Sequence, residues 1–237
     1  MTGNLAQAVD SLGSLSGNES ELWRPVLDTI PVDGASISTI AEFLGNETVA
    51  ASGPLAARLD ELQFDLSEGP CWDAMRQGRP VLEPDVRARP SRHWPAFSPA
   101  LSQYDVGAIF AFPLAFGPLK LGAMDLYSDS PRPLSAQEQR ASGILASVIS
   151  RIVLDRAIRR IDEPDVVDPE DKFSRRLIHQ ATGMVLAQLD ISAEDARLLI
   201  QGHAFALGQT MRQIAEEILE RRLDFSKHAG AFSSSDE

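Results

Sequence analysis

Few side chains in this 237-residue chain are placed to do covalent chemistry. The most reactive candidate is Cys71 in GPCWDA, at the start of an expected helix. A helix N-terminus can lower a thiol pKa and create a redox-responsive thiolate. Cys71 is the only cysteine, which excludes an internal disulfide and a thiolate metal cluster. A buried, inert thiol is the plainer reading. The histidines His93, His179, His203 and His228 show no metal-ligand spacing with one another, with the cysteine or with a carboxylate pair. His203 falls on an apolar stripe and reads as a core residue. Asp65, Glu68 and Asp73 are scattered acids, read as solvated rather than catalytic. No glycine-rich phosphate loop and no G-x-S-x-G occurs. The expectation is a protein that is not an enzyme, with no catalytic residue, no cofactor and no metal.

A binding role needs a pocket. Trp72, Trp94, Phe97, Phe110, Phe112 and Tyr127 are the aromatics available to line one beneath a sheet, although a plain core is the favoured reading for any one of them. The candidate ligand pocket is Trp72, Trp94, Phe110, Phe112 and Tyr127, for a small molecule whose identity the sequence does not reveal.

Periodicity and turn signals give the elements that must position these residues. Residues 1–19, rich in Gly, Ser and Asn, read as a flexible lead with a short, frayed helix around Leu5 to Leu12. A helix is expected from Ser20 to Thr29. ASISTIAEF (35–43) and ETVAAS (47–52) flank Gly45-Asn46 and read as a hairpin. Residues 54–64 and 69–78 read as helices. VLEPDV (81–86) is a short edge strand, because Pro84 cannot donate to a ladder. A proline-punctuated loop with a short helix covers 87–103. VGAIFAFPLAF (106–116) and KLGAMDLYS (120–128) pair across Gly117-Pro118. Ser135 and Glu138 form a capping box that opens a long helix to about Arg160. An antiparallel sheet with helices packed on it is an α+β layer architecture.

RRIDEPDVVDPED (159–171) breaks the pattern and reads as an acidic linker. Three helices follow, over 172–189, from Ser192 to Leu207, and from Thr210 to about Arg222. Ser192/Asp195 and Thr210/Gln213 read as capping boxes. Leu177, Ala181, Met184 and Leu189 line the first helix. Ala196, Leu199, Ile200, His203, Ala204 and Leu207 line the second, and Met211, Ile214, Ala215 and Ile218 the third. Short joints force these helices into a small all-α three-helix bundle. The expected organisation is a 1–19 lead, a 20–158 sensor or dimerisation domain, a 159–171 linker, a 172–226 helical domain and a flexible 227–237 tail.

Net charge is −12, with −11 on residues 1–171 and +1 on residues 172–228. An acidic front half argues against a chain that is one basic clamp on nucleic acid, and the asymmetry suggests different partners for the two halves. No apolar run is long enough to span a membrane, and MTGNLAQAVDSLGSLSG does not read as a secretory leader. The chain is expected in the cytoplasm, with no membrane partner.

HQATGMVLAQL, SAEDARLLI, AFALG and MRQIAEEIL together resemble an ANTAR domain, over about 175–225. The signature is Ala181, Gly183, Ala196, Ala204 and Ala215. EGPCWDAMRQGRPV and the strand pair at 106–128 are similar to a GAF domain over about 20–155. The resemblance implies a three-helix RNA-binding module that acts in transcription antitermination, behind a domain that senses a signal or fixes a homodimer. The partner it implies is an RNA stem-loop. Candidate RNA-binding residues are His179, Gln180, Thr182 and Gly183 on the first helix, with Arg175, Arg176, Arg212, Arg221 and Arg222 for phosphates. Gly183 stands in a helix interior, where glycine costs roughly 0.5–1 kcal/mol against alanine. Either it admits another backbone or an RNA loop lies on it. Thr182 departs from the lysine many members carry there, and Arg197 stands where an aromatic is frequent. GAF-like domains can attach bilins or reduce methionine sulfoxide through cysteine. Here the reductase chemistry lacks a second thiol, and His93 in SRHWPAF is a weak bilin match. The rival reading is a ligand-binding protein whose helical C-terminal domain docks on a protein.

Overall fold

The computed structural model describes residues 2–15, 18–41, 45–88, 93–162 and 176–226, and the statements below concern those residues. The chain divides into two compact units, 1–173 and 174–237.

The first unit is built on a five-stranded, wholly antiparallel sheet in the order β2-β1-β5-β4-β3. Its strands are β1 (Gly34–Ala41), β2 (Gly45–Ala51), β3 (Val81–Glu83), β4 (Ala108–Phe116) and β5 (Leu119–Ser128). Residues alternate between two faces. One face carries Ile37, Phe110, Phe112, Met124 and Leu126, and is covered by α1 (Thr2–Ser14), α2 (Trp23–Leu27) and α6 (Ala136–Asp162). The other carries Ile109, Ala123, Asp125 and Tyr127, and is covered by α3 (Pro54–Leu66), α4 (Pro70–Gln77) and α5 (Phe97–Leu101). Pro84 lies just past β3, at the sheet edge.

The capping box expected before α6 is present. Ser135 Oγ accepts from the Glu138 N–H at 3.2 Å, and the Glu138 carboxylate accepts from the Ser135 N–H at 2.6 Å. α6 buries Leu145, Ile149 and Val153 on the sheet. Arg156 and Glu47 form an ion pair at 2.8 Å, each side chain 13% exposed, which ties α6 to β2.

Two expectations change at the front of the chain. Residues 2–14 form a full helix rather than a flexible lead, because Ala8 and Leu12 reach the core. The single helix expected over 20–29 is instead a 3-10 turn at Glu19–Glu21 followed by the short α2. The 159–171 stretch is helical to Asp162; 163–175 and the 227–237 tail lie outside the described residues.

The second unit holds α7 (Arg176–Leu189), α8 (Ala193–Leu207) and α9 (Met211–Leu219). Its core is Ile178, Ala181 and Val185 against Ala196, Ile200 and Ala204 and against Met211, Ile214, Ala215 and Ile218. The inward face of α7 is therefore 178/181/185, not the 177/181/184/189 set that periodicity suggested. Leu199 and Leu207 are 41% and 57% exposed rather than core. α7 stops where Asp190 takes a left-handed φ of 54°, and α8 where Gly208 does so at 64°. Thr210 and Gln213 make the expected reciprocal box. At Ser192 the arrangement is different: its Oγ accepts from the Asp195 N–H and donates to the Asp195 carboxylate.

Candidate functional site

The residues of the EGPCWDA motif act as fasteners. Glu68 accepts from the N–H groups of Ala96 and Phe97 at 2.9 and 3.1 Å and so caps α5. Trp72 Nε1 donates to the Gln63 carbonyl at 2.7 Å, and Trp94 Nε1 to Asp73 at 2.9 Å. Glu68 and Asp73, read from sequence as solvated, are in this sense structural. Cys71 is 1% exposed in the second position of α4, and its N–H donates to Gln63 Oε1 at 2.9 Å. His93 is exposed.

Gln63 is the hub of a buried polar cluster. It is fully buried, and its Nε2 donates to Asp125 at 2.6 Å. Thr48 Oγ1 donates to Asp60, itself 2% exposed. Gly69, with φ of +126°, leaves the room Gln63 occupies: a Cβ there would lie 2.6 Å from Gln63 Oε1. The other carboxylate oxygen of Asp125, Oδ1, is buried without a hydrogen-bond partner. Sequence reasoning missed this cluster. Its signal was present, in a polar Gln63 between Leu62 and Phe64 and an acid inside LGAMDLY, both at positions whose neighbours face the core.

Burial, reinforced by the negative charge of Asp60 and opposed by the Gln63 amide, pushes the Asp125 carboxyl up to about 8. The unfolded group titrates near 3.9. Between those values the native state holds a proton that the unfolded state has lost. Stability therefore falls as pH rises from about 4 to about 8. Asp125→Asn removes this dependence and keeps the acceptor for Gln63. The variant should exceed the parent in stability at pH 8 by on the order of 1–3 kcal/mol, with the gain shrinking towards pH 5. Urea midpoints across pH check this, and a pH-independent difference would sink it.

The five aromatics expected around one ligand pocket do not share a face. Trp72, Trp94 and Tyr127 lie on the α3–α5 side, while Phe110 and Phe112 lie on the α6 side. Strand alternation separates them: Ile109 pairs with Tyr127, and Phe110 with Leu126. A groove of about 370 Å³ lies among Leu5, Ile30, Pro31, Ala141 and Ile144, beside Arg140.

In the second unit, α7 turns His179, Gln180, Gly183 and Ala187 outward together. Arg176 opens the helix at the matching register position, and Arg175 lies outside the described residues. Thr182 is half-buried at the edge of this stripe, and its hydroxyl donates back to the Ile178 carbonyl at 2.7 Å, so its proton is not offered outward. A Cβ built on Gly183 meets nothing within 4 Å. The alanines of the signature, Ala181, Ala196, Ala204 and Ala215, are all buried and serve close helix packing. Arg212 is partly buried on α9, which packs on α7. Arg221 and Arg222 are exposed in the turn after α9, and Arg222 pairs with Glu220. His203 sets its ring edge-on against Phe225 at 5.4 Å. Among the described residues no cluster of three or more metal-ligating side chains occurs, and no helix is long and apolar enough to cross a membrane.

Residues 17–153 match the GAF domain, more than half of the chain, and the chain belongs to that family. Residues 173–219 match the ANTAR domain, so a GAF sensing domain precedes an ANTAR antiterminator output domain. This architecture is regulatory rather than catalytic. Among solved structures, the GAF domain of a phosphoenolpyruvate-protein phosphotransferase from Coxiella burnetii is 15% identical at a TM-score of 0.56, covering 68% of this chain and 96% of that one. The corresponding Acinetobacter domain is 14% identical at a TM-score of 0.51, covering 70% and 97%. These likenesses support the fold. No curated protein matches the chain.

Proposed function

We propose that the outward face of α7 binds an RNA stem-loop, and that the chain regulates antitermination by holding that structure in a nascent transcript. The observation that carries the reading is Gly183. The space around it is open, so no close-packed neighbour accounts for a glycine in the middle of α7. A solvent-facing patch without side-chain bulk, between His179, Gln180 and Ala187, suits a splayed loop base and its sugar. Arg176, Arg212, Arg221 and Arg222 supply the positive charge. The GAF domain is the sensing element, and a homodimer through α6 is the assembly.

The test is binding of the full chain to paired short RNA hairpins at two salt concentrations. Loop-dependent binding that weakens about tenfold or more over a fourfold rise in salt is expected for roughly three phosphate contacts. Binding no tighter than to a scrambled RNA would overturn the reading.

A protein partner is the second reading, favoured by α8. Leu198 and Phe205, 49% and 66% exposed and seven residues apart, share the outer side of a helix whose other face is in the core. A salt-insensitive complex lost on Phe205→Ser would support this reading against RNA.

A further inference from the structure

α6 turns one narrow stripe to solvent. Arg140, Ile144, Ser147, Arg151, Asp155 and Ile158 follow one another at steps of three or four residues, and all are exposed. Among the described residues none of the three charged members has an ion-pair partner. The spacing is symmetric about a point between Ser147 and Val148. Reversed end to end, position 140 falls on 155, 144 on 151, and 137 on 158. A parallel pairing of two such helices sets Arg151 against Arg151 and Asp155 against Asp155, which like-charge repulsion disfavours. An antiparallel pairing sets Arg140 against Asp155 twice, about 22 Å apart along the axis.

The groove gives a second, independent fit. It flanks the first turns of α6, beside Gln137, Ala141 and Ile144, and is largely apolar. Ile158, near the other end of the helix, is 50% exposed. Antiparallel packing brings that side chain to Gln137, at the mouth of the groove.

We propose that the chain forms a twofold homodimer in which the α6 helices pack antiparallel, Arg140 pairing with the partner's Asp155 and Ile158 entering the partner's groove. The contact is isologous, so each pairing occurs twice and the assembly closes at two copies. The inference rests on the homodimer reading above and supplies its register and orientation.

Two experiments on the full chain test it. Arg140→Glu and Asp155→Arg should each weaken dimerisation about tenfold or more by sedimentation, and the double variant should restore it. Gln137→Cys and Ile158→Cys are then made separately; the native Cys71 is buried. Under oxidation a mixture of the two should cross-link, while each alone should not. Self-cross-linking of either variant alone, or no cross-link from a dimeric mixture, overturns the antiparallel register and leaves the homodimer standing. A monomeric parent chain overturns both.

Discussion

Gly122→Ala should unfold the sensor domain. Gly122 lies on β5, between β1 and β4 at the centre of the sheet. A Cβ there would stand 1.9 Å from the Ser38 carbonyl oxygen, 2.8 Å from the Ser38 carbonyl carbon and 2.9 Å from the Thr39 Cα. These are backbone atoms of the neighbouring strand, so no side-chain rotation relieves the clash. The β1–β5 ladder must open, and both faces of the core depend on that ladder. A loss of more than about 4 kcal/mol is expected, in the range reserved for a specific structural failure, against a total stability of about 5–15 kcal/mol for a domain. Trp23, Trp72 and Trp94 all lie in the first unit, so their fluorescence reports this domain alone. It should show the variant unfolded or melting far below the parent. Gly143→Ala, on α6 with nothing within 4 Å of the added carbon, is the matched control and should melt at or slightly above the parent. A Gly122→Ala melt within a few degrees of the parent would refute the argument.

Gly183 should separate stability from binding. Because its surroundings are open, Gly183→Ala should raise the stability of α7 by about 0.5–1 kcal/mol. Gly183→Leu should also fold, since its side chain points into solvent. On the proposed function the same leucine stands where the RNA loop must lie. A fall in hairpin affinity of tenfold or more, about 1.4 kcal/mol, is expected for Gly183→Leu, with a smaller fall for alanine. Helical circular dichroism and hairpin titration on the same preparations provide the check. Unchanged affinity in a folded Gly183→Leu protein would remove α7 as the interface. Loss of both fold and affinity would contradict the open space around the glycine. The natural sequence thus retains a residue that weakens its own helix, which is the sense in which Gly183 points to function.

Much of this chain could be read directly from its residues. The first strand alternates at period two, β4 is an almost unbroken apolar run, and the edge strand was marked by Pro84. Ser135/Glu138 and Thr210/Gln213 announced the starts of α6 and α9. Such signals are local, because they depend on neighbours within about four positions, and a single sequence carries them in full. The exposure of Gly183 was a different matter. Periodicity placed it in a helix, but the choice between packing and function needed the positions of α8 and α9.

Where sequence reading failed, the deciding contacts were distant in the chain. Leu12 is drawn from an apparent lead segment into the core by packing of α1 on α6, more than a hundred residues on. Asp125 becomes a proton-holding group because folding buries it and brings the charge of Asp60 beside it, against the opposing amide of Gln63, 62 positions earlier. Phe112 and Tyr127 are aromatic in the same way on paper, yet the register of β4 on β5 puts them on opposite sides of one sheet. The two domain types were legible as resemblances to known families, while the sequence by itself determined the order of most elements and where most helices begin, since propensity, capping and turn chemistry act along the backbone. Only the tertiary structure decided which polar groups are buried together, which face each aromatic serves and which glycine stands in open space, because burial and dielectric surroundings depend on residues that the chain brings together only when it folds.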